Sequence, residues 1–117
     1  MENQIPLYLH WNKTIKYILN KTEKFPKRVR FTFSSRIDNI AIDILERIVE
    51  AQYSQNRLPF LKNINLNLEK LRVFCGLTHD LGYLDHKGYE HLSRLIDEAG
   101  RMTGGWQKQM VLKHQVQ

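Results

Sequence analysis

Phe33-Ser34-Ser35-Arg36-Ile37-Asp38-Asn39-Ile40-Ala41-Ile42-Asp43-Ile44-Leu45-Glu46-Arg47-Ile48-Val49-Glu50-Ala51 is the stretch whose reading decides the fold. Phe33, Ile37, Ile40, Ala41, Ile44, Leu45, Ile48 and Ala51 recur at three- and four-residue spacing, the signature of a helix with one buried face. Ile42 and Val49 fall outside that stripe, so the apolar surface is wider than one pair of neighbouring helices requires. The β-branched and aromatic run Arg30-Phe31-Thr32-Phe33 suggests a strand in isolation, but the sequence offers no partner strand and a lone strand leaves its backbone unpaired. It is read as the start of the helix, which then runs from Lys27 or Ser34 to Ser54 (residues 27–54 at its widest).

Working outward, residues 7–23 carry Tyr8, Trp11, Ile15, Ile18 and Leu19 at helical spacing, with lysines on the other faces. Phe25-Pro26 ends that helix, because a residue before proline is pushed out of helical geometry and proline suits a following first turn. Residues 59–83 form a third helix on Leu61, Ile64, Leu68, Leu71, Phe74, Cys75, Thr78 and Leu81, and Asp85-His86-Lys87-Gly88 makes the next turn. Residues 88–113 form a fourth on Leu92, Leu95, Ile96, Ala99, Met102, Thr103, Trp106 and Met110. There Gly100 and Gly104 offer a site of close backbone approach. The tail after Lys113 is expected to fray. Four helices with short turns and no strands or repeats predict an all-α, antiparallel up-and-down four-helix bundle in one domain over residues 1–117.

The 117 residues, 42% hydrophobic, suffice for one core and leave little for a second. Cys75 is the only cysteine, no charged-then-apolar leader opens the chain and no apolar run approaches a bilayer span. A soluble chain in a reducing, cytoplasmic compartment is expected, with no membrane partner.

The net charge of +6 is concentrated. Lys13, Lys16, Lys21, Lys24, Lys27, Arg28, Arg30 and Arg36 face only Glu2 and Glu23 within residues 1–36, whereas residues 37–117 balance ten basic against ten acidic side chains. Charge clustered in this way attracts polyanions through counterion release. Lys27-Arg28-x-Arg30 at a helix start adds outward N–H groups, which suits phosphate. With few aromatics free for base stacking, backbone and shape readout is favoured, Phe31 being the exception. The competing reading is a solvated lysine-rich face that serves solubility.

Enzymatic signals are short. Thr78-His79-Asp80-Leu81-Gly82 is similar to the metal-binding core of HD-type phosphohydrolases, but such sites need further ligands and upstream only His10 is available. His79, His86 and His91 lack the i, i+4 spacing of a helical zinc site and read as surface or turn histidines. Cys75 sits in an apolar stripe, which implies a raised pKa rather than a nucleophile. Gly104-Gly105 lacks the strand that precedes a phosphate loop. No catalytic residue, metal or cofactor is expected.

Phe25-Pro26-Lys27-Arg28, the long second helix, Leu68-Glu69-Lys70-Leu71-Arg72-Val73-Phe74 and Ala99-Gly100-Arg101-Met102-Thr103-Gly104-Gly105-Trp106 together resemble the bacterial four helix bundle protein family. Within it the likeness is to the accessory variability determinants (Avd) of diversity-generating retroelements. It spans residues 7–109, with Val73-Phe74-Cys75-Gly76 standing where Avd carries a more aromatic run. The resemblance implies a non-catalytic homopentameric barrel with a positive surface, binding a reverse transcriptase and template RNA in mutagenic cDNA synthesis. It carries partner contact over to Lys27, Arg28 and Arg72, and a contact or packing role to Arg101. The alternative is a structural or protein-interaction bundle, ribosome-associated or similar, without a nucleic-acid role.

Overall fold

A computed structural model of the chain describes residues 5–116. Among them are four α-helices and no strand: α1 (Ile5–Thr22), α2 (Ser35–Tyr53), α3 (Leu58–Asp80) and α4 (His86–Val116). Each helix packs against its neighbours in the chain and α4 returns against α1, which closes a four-membered bundle 52 × 23 × 20 Å across. Consecutive helices joined by short turns run antiparallel.

One continuous core fills the bundle. In α2 the stripe read from the sequence is the buried face: Ile37, Ile40, Ala41, Ile44, Ile48 and Ala51 are enclosed, while Ile42 and Val49 are exposed. The α1 stripe needs correction. Leu19 is exposed, and Leu7, His10, Thr14 and Thr22 are buried alongside Trp11 and Ile18. The polar members of that face have partners. Thr14 donates to the His10 carbonyl at 2.8 Å, and the Thr22 hydroxyl donates to Asp38 at 2.7 Å. His10 Nε2 donates to the Leu95 carbonyl at 2.8 Å, which leaves Nδ1 3.7 Å from Glu98.

The second helix does not run unbroken from Lys27. Pro26, in extended geometry, leads into a 3₁₀ turn at Lys27–Val29 and a π-helical turn at Arg30–Ser34, and regular α geometry starts at Ser35. The run Arg30-Phe31-Thr32-Phe33 is therefore helical, though wound more loosely than an α-helix. The wider turn lets Val29 and Ser34 both face the core, five residues apart, and leaves Phe31 outside.

The third helix stops at Asp80, three residues before the expected end. Gly82 takes φ +82°, its N–H donates to the His79 carbonyl, and the Tyr83 N–H reaches the Thr78 carbonyl at 2.9 Å. That is a Schellman cap, and the left-handed residue it requires is glycine. Leu81, expected in the core, is exposed as a result, and Leu84 is buried in its place. The fourth helix starts two residues earlier than expected, at His86, and continues past Lys113 to Val116. Gly100 and Gly104 admit no second backbone within this bundle. The Gly100 Cβ position is 3.5 Å from the Arg72 guanidinium, and around Gly104 there is open space.

Asp85 caps α4. Its Oδ1 accepts the Gly88 N–H at 2.8 Å and lies 3.6 Å from Lys21 Nζ. A side chain at Gly88 would begin 2.6 Å from that oxygen, so glycine here keeps the cap open. The Gly88 N–H, followed by the Lys21 charge, holds the Asp85 pKa below its ordinary value. A depressed folded-state pKa contributes stability above the unfolded carboxylate pKa, and that stability is lost as pH falls through the folded value. Asp85→Ala is therefore expected to lower the melting temperature at pH 7 and to converge with the wild type in acid. Thermal melts from pH 7 to pH 3 check this.

Candidate nucleic-acid interface

The ten basic residues singled out in the sequence fall into three settings. Lys24, Lys27, Arg28 and Arg30 are exposed at one pole of the bundle, where the segment after α1 meets the α3–α4 turn. Arg28 joins the two, donating to the Tyr83 hydroxyl at 2.9 Å with its guanidinium 5.7 Å from the ring centroid. Lys21, at the same pole, is half-buried over the Tyr17 ring and paired with Asp85. Lys24 acts on Asp85 through space and forms no ion pair among the described residues.

Lys13 and Lys16 extend this surface along α1. Both are exposed, with the exposed Asn20 one turn further on, so they share the face turned away from Trp11 and Ile18. Arg36, exposed on α2, lines a groove between the π-helical turn, α2 and α3.

Arg72 and Arg101 stand apart from that group, on the α3–α4 side. Arg72 is fixed by two carboxylates: Nε and Nη2 donate to Asp97 at 3.1 and 2.9 Å, and Nη1 donates to Glu69 at 2.8 Å. Its charge is neutralised within the bundle. Arg101 is exposed beside the same shallow depression. Among the described residues, Lys13, Lys16, Lys27, Arg30, Arg36 and Arg101 form no ion pair. An unpaired surface cation keeps its full charge for an incoming anion, whereas a paired one must first give up its partner.

The sequence reading missed a second basic stripe. Arg94, Arg101 and Lys108 recur every seven residues on α4, are all exposed, and form no ion pair among the described residues. Seven residues are close to two helical turns, so these cations share one face. The spacing was visible in the sequence, but the balanced charge of residues 37–117 hid it. Because α4 packs on α1, this stripe and the Lys13–Lys16 face belong to the same half of the bundle. The outer face of α3 differs: Leu66, Val73 and Leu77 are exposed on the side opposite Leu68 and Leu71. Ile42, Val49 and Tyr53 do the same on α2.

Residues 5–110, most of the chain, match the bAvd-like family. The chain belongs to that family. Its membership supports an Avd-like accessory protein. Comparison with curated proteins finds no match.

In this bAvd-like chain the segments that suggested enzymatic chemistry have structural uses. Thr78-His79-Asp80-Leu81-Gly82 is the Schellman cap of α3, with the Thr78 and His79 carbonyls accepting its two hydrogen bonds. His79 stacks on Tyr89 at 4.4 Å and lies 5.6 Å from the His86 ring, while His10 is engaged at Leu95 on α4. Among the described residues no three His, Cys, Asp or Glu side chains gather to hold a metal ion. No described helix is long and apolar enough to cross a membrane. Cys75 is buried in the core, and burial pushes its thiol up to about 12. Native protein at pH 8 is therefore expected to react with a thiol reagent at least about 100-fold more slowly than unfolded protein, and stopped-flow labelling with and without denaturant measures the ratio.

Proposed function

We propose that this bAvd-like chain is a non-catalytic accessory protein of a diversity-generating retroelement, binding its reverse transcriptase and template RNA in the cytoplasm to support mutagenic cDNA synthesis. The observation that carries the reading is the family match over residues 5–110 in a chain whose cations crowd one pole and one half of the bundle without carboxylate partners. Lys24, Lys27, Arg28 and Arg30 take the phosphate backbone, helped by Lys13 and Lys16. Backbone contacts position a nucleic acid without reading its sequence.

Self-association completes the proposal. The apolar outer faces of α2 and α3 are the surfaces that neighbouring copies cover, in a homopentameric ring. A ring multiplies the net charge by its copy number, so individually weak phosphate sites act together. Reconstituted cDNA synthesis with the cognate reverse transcriptase and template RNA tests the function. Product is expected only when the chain is added, and equal product without it overturns the reading.

A further inference from the structure

Phe31 is 88% exposed, more than any other large apolar side chain among the described residues. It stands in the π-helical turn while its neighbours face inward: Val29 and Ser34 are buried, and Phe33 packs edge-on against Phe74, 6.3 Å between centroids. Folding gains nothing from a phenyl ring held in water. Loosely wound π turns recur at functional sites.

Two grooves meet at this ring. Lys27 and Arg30 line one, Arg36 and Lys70 line the other, and the second has a volume of about 870 Å³. We propose that Phe31 is a stacking platform for an unpaired base of RNA, with Lys27 and Arg30 on one side and Arg36 and Lys70 on the other holding the flanking phosphates. This rests on the RNA reading given above and adds to it that the RNA is engaged where it is single-stranded.

Three features favour a base as the occupant. First, a flat aromatic ring bordered by cations is the arrangement that holds single-stranded nucleic acid, since every base presents a π face and every linkage a charge. In a duplex those faces are already stacked, so the ring selects unpaired nucleotides. Second, a protein anchor pocket is ringed by further apolar side chains, whereas polar Asn39, Asn67 and Ser35 surround this one. Third, the carboxylates nearby do not cancel the cations. Asp38 accepts the Thr22 hydroxyl and burial raises its pKa. Asp43, lining the wider groove, suits the amino group of a base.

The test compares a ten-nucleotide single-stranded RNA with an abasic ribose-phosphate oligomer of the same length, using the wild type, Phe31→Ala and Phe31→Trp. Phe31→Ala is expected to bind the RNA about tenfold more weakly and the abasic oligomer unchanged, because one stacked base contributes about that much. Phe31→Trp is expected to restore RNA binding and to be quenched by RNA, a signal the two native tryptophans do not mask because both are buried. Equal RNA affinity of Phe31→Ala and wild type overturns the proposal and leaves the RNA reading standing. So does an equal loss for both oligomers, or a loss confined to reverse transcriptase capture, which assigns the ring to a protein partner. Failure of the wild type to bind either oligomer overturns the RNA reading and this site with it.

Discussion

Reversing Lys24, Lys27 and Arg28 to Glu is expected to weaken binding of structured RNA by about 100-fold or more near 0.1 M salt, with helicity unchanged. Each phosphate contact releases about one counterion, so three lost contacts remove roughly two to three orders of magnitude at that salt and flatten the salt dependence by about 3. Repulsion from the three new carboxylates adds to the loss. All three side chains are exposed. None forms an ion pair among the described residues, so folding has little stake in their charge. Arg72→Ala is a useful contrast, because that guanidinium is already held by Asp97 and Glu69. Filter binding of the wild type and both variants separates the two cases, and a triple variant that binds like the wild type reduces the lysines to a solubility role.

The largest effect on stability is expected at Trp11. Its ring is 0% exposed in the core, and its indole N–H donates to the Ala41 carbonyl at 2.8 Å, fixing α1 to α2. Trp11→Ala removes that bond and leaves a large cavity, a loss of about 3–5 kcal/mol. For a domain of ordinary stability, about 5–15 kcal/mol, this is a large share of the total. Trp106 is nearly as buried, at 3%, yet its N–H has no hydrogen-bond partner and the Arg57 guanidinium lies 5.8 Å from its ring centroid. Phenylalanine is therefore expected to replace Trp106 at little cost, whereas Trp11→Phe forfeits a satisfied bond worth about 1 kcal/mol. Urea unfolding midpoints of the three variants check the ordering.

These two tryptophans illustrate how far the sequence could be read. Apolar spacing identified the buried faces of α2 and α4 almost residue by residue, because those faces are built from apolar side chains. It failed on α1, where His10, Thr14 and Thr22 are buried through hydrogen bonds to Leu95, to the preceding turn and to Asp38. A polar residue enters a core when a partner awaits it, and a partner 85 positions away leaves no trace in local periodicity. The end of α3 was misplaced for a related reason: Leu81 continues the apolar spacing, but Gly82 in left-handed geometry ends the helix before it.

Of the candidate interface, the pole around Lys27 and Arg28 was legible because its cations are consecutive. Arg72 was not, since its neutralising partner Asp97 comes from another helix. The α4 stripe of Arg94, Arg101 and Lys108 is dispersed among carboxylates in the sequence and emerges only when seven-residue spacing is laid on a helix.

The claim on which the rest depends is that the unpaired cations form one phosphate-facing surface. Equilibrium binding of structured RNA to the wild type over about 50 to 400 mM salt tests it most directly. A straight line of log affinity against log salt with a slope of about −4 or steeper is expected, since six or more cations are free to displace counterions. Weak binding with a slope near zero would contradict it.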